Sequence, residues 1–72
     1  MTLDQLLNMF PKKTHVIINR GAHPKMIKDV QRNKKDYIII QDKEIIDLDV
    51  DSFMDDFGLQ KPYVFIRTKR GA

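Results

Sequence analysis

Apolar and polar positions are patterned most sharply between residues 36 and 50, DYIIIQDKEIIDLDV. Tyr37 to Ile40 is an unbroken apolar run, and Asp42-Lys43 interrupts it. Ile45, Ile46, Leu48 and Val50 follow, with Asp47, Asp49 and Asp51 set between the later ones. β-Branched residues around a short polar break predict a strand, a tight turn and a second strand. Alternation from Ile46 to Val50 sends three apolar side chains to one face and the aspartates to the other. This hairpin is the expected centre of a small sheet.

The flanking segments carry their own signals. In residues 2–10, Leu3, Leu6, Leu7 and Phe10 recur at i, i+3, i+4 and i+7, which predicts an amphipathic helix. Thr2 and Gln5 make a capping box at its start, and Pro11 stops it. His15 to Asn19 predicts a strand, broken at Arg20-Gly21-Ala22, where Gly21 takes positive φ cheaply. Pro24 suits a first helical position, and Met26, Ile27 and Val30 share a face, so a helix is expected over 24–33. Asp51 is a candidate N-cap for a short helix through Phe57, with Gly58 as its C′ glycine. Tyr63 to Thr68 predicts the last strand.

These elements make one α+β domain over residues 1–72: an N-terminal helix at 2–10, then an α/β sandwich at 13–69. The order of the last six, βαββαβ, resembles the ferredoxin-like superfold. A three- or four-stranded mixed sheet with two to three helices is the alternative. In the ferredoxin-like arrangement Val64 and Ile66 face the helices, and Tyr63, Phe65 and Arg67 face away. Tyr37, Ile39 and Ile17 are expected to join them, with Asp47 and Asp49. An open face bearing aromatics must be covered by the N-terminal helix, by a second copy or by a partner.

Composition bounds this picture. A 72-residue chain without cysteine has neither disulfide nor thiolate metal site to staple it, so its stability must come from packing, within the chain or with the help of a partner subunit. No apolar stretch approaches the roughly 20 residues of a membrane helix. The N-terminus lacks the basic start and apolar run of a signal peptide, so cytoplasmic residence is expected. The net charge of +3 is segregated: residues 1–35 carry +6, residues 36–60 carry −7 and residues 61–72 carry +4. A uniformly basic nucleic-acid binder would lack that acidic middle block.

The chemical motifs are sparse. Asp47-x-Asp49-x-Asp51 imitates an EF-hand opening, but Ser52 and Gly58 stand where the loop needs Gly and Glu, so calcium is not expected. Two histidines without nearby ligands do not make a zinc site. The loop Asn19 to Pro24 runs into a helix start and has neither P-loop nor dinucleotide spacing. Acylphosphatases share the βαββαβ order, but their glycine-rich phosphate loop is not reproduced here. RNA-recognition motifs share it too, yet HVIIN and EIIDLDV lack their aromatics, and the aspartates repel phosphate. No serine or threonine sits in a recognisable hydrolase arrangement.

The expected protein is therefore a non-enzymatic accessory module of bacterial or phage type, without cofactor or metal. It is expected to bind a protein partner or a second copy of itself through Tyr37, Ile39, Tyr63, Phe65 and Arg67, or through its segregated charges. The alternative is a nucleic-acid binder that contacts phosphates through Arg20, Lys25, Lys28, Arg32, Lys34 and Lys35.

Overall fold

The computed structural model describes residues 1–20 and 23–69. In chain order the elements are α1 (Leu3–Met9), β1 (His15–Ile18), β2 (Lys25–Met26), α2 (Ile27–Arg32), α3 (Lys34–Ile40), β3 (Ile45–Met54) and β4 (Gln60–Thr68). The strands form one mixed sheet in the order β2-β1-β4-β3, with β1 parallel to β4 and the other pairs antiparallel. The chain is thus a small α+β domain whose four-stranded mixed sheet carries three helices. The order differs from βαββαβ, because β2 follows β1 directly and two helices then precede β3.

Helix α1 forms where its stripe predicts. Thr2 Oγ1 accepts the Gln5 amide, and Gln5 Oε1 accepts the Thr2 amide in return. The free first-turn amides of Leu3 and Asp4 donate to the carbonyls of Lys43 and Gln41, at 2.9 and 2.8 Å. Leu3, Leu6 and Leu7 are buried with Val16, Ile27, Tyr37, Val64 and Ile66 in a single core. All three helices therefore pack on one side of the sheet, and α1 does not cover the other side.

Helix α2 starts later than the expected 24–33 helix, because Lys25 and Met26 pair with β1 as β2. No side chain caps α2; the amides of Ile27 and Lys28 donate instead to the carbonyls of Thr14 and Lys12.

Two expectations are corrected. Tyr37 to Ile40 is helical and is not a strand. An apolar run of four fits either period, and here the tertiary fit decides. Tyr37 turns inward and Ile40 packs against the core, while Ile38 and Ile39 point to water. Residues 51–54 belong to β3 and are not a helix. The period-two pattern that starts at Asp47 runs on unbroken, with Asp51 and Phe53 on one side and Ser52 and Met54 on the other.

The hairpin turn accordingly lies between Asp55 and Leu59 and not at Asp42-Lys43. Asp55 donates its amide to the Leu59 carbonyl, and Gly58 donates to the Asp55 carbonyl. Gly58 takes φ +77, the left-handed position of such turns. Asp55 Oδ1 accepts the amides of Phe57 and Leu59, both at 2.9 Å, and Oδ2 lies 3.3 Å from Lys61 Nζ. These contacts hold the Asp55 carboxyl below the usual carboxylate range, the Leu59 amide contributing most.

Candidate functional site

The register of β4 sorts its side chains. Val64, Ile66 and Thr68 are buried against the helices, while Tyr63, Phe65 and Arg67 look the other way. This is the sidedness that the alternation predicts. Across the ladders, His15 and Ile17 of β1 lie beside Tyr63 and Phe65, and Asp51, Asp49 and Asp47 of β3 lie beside Tyr63, Phe65 and Arg67. The helix-free side thus carries His15, Ile17, Tyr63, Phe65 and Phe53 as its apolar and aromatic part, with Asp47, Asp49 and Asp51 on β3 and Lys61 and Arg67 on β4 as its charges.

An aromatic cluster sits at one end of that face. The His15 and Phe53 rings are 5.0 Å apart and tilted by 56°, and Phe53 meets Tyr63 edge-on at 6.1 Å. Edge-to-face and tilted rings are the favoured arrangements of such pairs. All three residues are half-buried, although no helix lies over them. The phenol of Tyr63 is pushed up from its ordinary value, first by desolvation and then by the Asp51 carboxylate. At the other end, Phe65 and Arg67 border a hollow of 430 Å³ with Asn19, Arg20 and Ile46.

The structure divides the expected interaction residues. Tyr63, Phe65 and Arg67 share the open face. Tyr37 does not, being a buried residue of α3 that is 7% exposed. Ile39 is exposed, but on α3 and away from the sheet face. Arg20, Lys25, Lys28, Arg32, Lys34 and Lys35 are all exposed, spread over the end of β1, β2, α2 and α3. Among the described residues none of these six joins an ion pair. His15 and Phe53 escaped the sequence reading. Phe53 falls two residues beyond Asp51, so continuing the alternation would have found it.

Strand β3 forms one edge of the sheet. The amides of Leu48, Val50 and Ser52 donate to the carboxylates of Asp47, Asp49 and Asp51, each to the residue just before it, at 2.8–2.9 Å. In an antiparallel edge strand, alternate amides point away from the ladder. Side-chain carboxylates thus occupy every second amide from Leu48 to Ser52.

A second hollow, of 460 Å³, lies on the helix side, where Val16, Ile18 and Val30 meet Lys25, Asp29 and Asp36. Its charges oppose one another within the lining. Among the described residues no group of three or more histidine, aspartate or glutamate side chains converges on a metal position. No helix there is long and apolar enough to cross a membrane. This geometry defines a small α+β domain with a single-layer sheet and one aromatic, acid-bordered face. Comparison with family models, with curated proteins and with solved structures finds no match to the chain.

Proposed function

We propose that the chain is a small non-enzymatic protein-binding module that works through the helix-free side of its sheet. The observation that supports this most is the cluster of His15, Phe53 and Tyr63, with Phe65 on the same face, over which no helix packs. Removing such apolar surface from water contributes about 25 cal/mol per Å². The row Asp47, Asp49 and Asp51 beside it suits a partner whose apolar residues are flanked by lysine or arginine. An accessory role in the cytoplasm, in a bacterium or phage, belongs to the same proposal and rests on size and composition.

A photo-crosslinking residue placed at Phe65 tests this. Crosslinks to one discrete protein in cell extract are expected, and an added Tyr63→Asp change is expected to abolish them. Crosslinking from Lys28 that matches or exceeds that from Phe65 would argue against the open face.

One observation favours a second reading. Lys28 and Arg32 are four residues apart on α2, and with Lys25, Lys34 and Lys35 they form an exposed basic set free of ion pairs among the described residues. Such a set can contact a phosphate backbone without reading bases. A mobility shift that weakens between low and high salt, and is lost in Lys28→Glu/Arg32→Glu, would establish that reading.

A further inference from the structure

The hollow beside Phe65 collects positive charge only. Asn19, Arg20, Ile46, Phe65, Arg67 and Thr68 line its 430 Å³, and no acid is among them. Both arginines are exposed, and among the described residues neither joins an ion pair. Asp47 faces Arg67 across the β3–β4 ladder. Its carboxylate accepts the Leu48 amide at 2.9 Å and forms no ion pair with the guanidinium.

Hydrogen bonds fix the frame that presents the two arginines. Arg67 stands on β4 between Ile66 and Thr68, which are 0% and 4% exposed. Arg20 follows Asn19, which takes φ +58 at the end of β1. The Asn19 amide donates to the Ile66 carbonyl at 2.8 Å. Its side chain accepts the Thr68 amide through Oδ1 and donates to the Thr68 hydroxyl through Nδ2, both at 3.0 Å. Three bonds thus tie the residue before Arg20 to the two residues that flank Arg67. A left-handed non-glycine residue persists where its surroundings over-determine it, and such residues gather at ligand sites.

We propose that this hollow binds a small phosphate monoester that carries an aromatic group. The planar fork of a guanidinium matches phosphate oxygens in pairs. A phosphate monoester holds about −1.5 to −2 charge near neutral pH, which two arginines balance. A carboxylate or one phosphate of a nucleic-acid strand brings only a single charge. The half-buried Phe65 ring offers the aromatic group a partner, edge-on or offset. The volume also fits, since small-molecule sites span roughly 300–1,000 Å³. A nucleic-acid strand is disfavoured, because its further phosphates would meet Asp47, Asp49 and Asp51 on the same side. One compact dianion stays beside the arginines.

This inference does not rest on the protein-binding reading. The cluster of His15, Phe53 and Tyr63 lies at the opposite end of the face, and a crosslinked protein and a bound phosphate are observed separately. Amide chemical shifts of the full chain, followed during titration with phenyl phosphate, test it. Saturable shifts are expected at Asn19, Arg20, Phe65, Arg67 and Thr68. Inorganic phosphate is expected to bind about threefold more weakly, the order of one aromatic contact. Arg20→Gln and Arg67→Gln are each expected to weaken phenyl phosphate at least about tenfold, the order of a lost charge-assisted hydrogen bond. Both side chains are exposed, so the Val64 and Ile66 signals of the free variants are expected to stay in place. Lys28→Gln, on α2, is expected to change nothing. The absence of saturable shifts at about 10 mM phenyl phosphate, which would nearly fill a site of millimolar Kd, overturns the proposal. So does an equal loss in Lys28→Gln, or inorganic phosphate that binds as tightly as phenyl phosphate. A single-stranded oligothymidylate that binds the same residues more tightly than phenyl phosphate assigns the arginines to nucleic acid and overturns it too.

Discussion

Tyr37 links two helices through one atom. Its hydroxyl donates to Asp4 Oδ1, joining α3 to the first turn of α1. The phenol is raised from its ordinary value of 10.0, first by burial and then by this bond. A raised phenol means that the fold favours the neutral ring. Tyr37 therefore stabilises the protein fully below pH 10 and ceases to do so as pH climbs through the folded value. Tyr37→Phe is expected to cost about 1 kcal/mol near neutrality, a typical net hydrogen bond. Chemical denaturation at pH 7 and above pH 10 checks this, because the deficit of the variant should shrink in alkali. Single residues were unequally legible. Thr2 and Gln5 declare their capping box by spacing alone. Asn19 could not be found that way: it takes φ +58 while its side-chain amide bonds both the amide and the hydroxyl of Thr68, 49 residues away. The sequence reading placed the left-handed residue at Gly21, which lies outside the described residues.

At the scale of elements, the β3–β4 hairpin shows what local pattern can and cannot reveal. Its strands follow a period-two rule visible in the residues themselves, and Gly58 announces a left-handed position. Which turn that glycine serves depends on whether residues 51–54 continue a strand or start a helix. Asp51 fits both, as a cap or as one more polar step of an alternation. The pairing of Ser52 with Pro62 and Phe53 with Lys61 decides it, and that contact is absent from any local window. Gly58→Ala is expected to destabilise the hairpin by about 1 kcal/mol, since φ +77 disfavours a Cβ although nothing lies within 4 Å of one. Amide exchange should report it locally, with the Met54 and Gln60 end opening faster while Val64 and Ile66 stay protected. Helix α3 went the other way. Its isoleucines favour a strand by propensity, and the inward fit of Tyr37 against Asp4 outweighs them.

The whole molecule is elongated, 39 × 23 × 22 Å, with a Cα radius of gyration of 12.0 Å. A compact chain of this length is expected nearer about 11 Å. The sidedness of the last strand was readable, because Tyr63, Phe65 and Arg67 alternate with Val64 and Ile66 whatever their neighbours are. The strand order was not, because β1 and β4 join in parallel across more than 40 intervening residues. The position of α1 on the already helical side likewise depends on packing that no stripe of leucines discloses. The exposed edge of β3 has a consequence for self-association. The carboxylates of Asp47, Asp49 and Asp51 act as stoppers on a ten-residue strand that would otherwise template its own stacking. A triple Asp→Val variant should keep its helical signal at first and then convert on standing into thioflavin-positive fibres. A variant that stays clear for weeks at high concentration would show that something other than those three side chains guards the border.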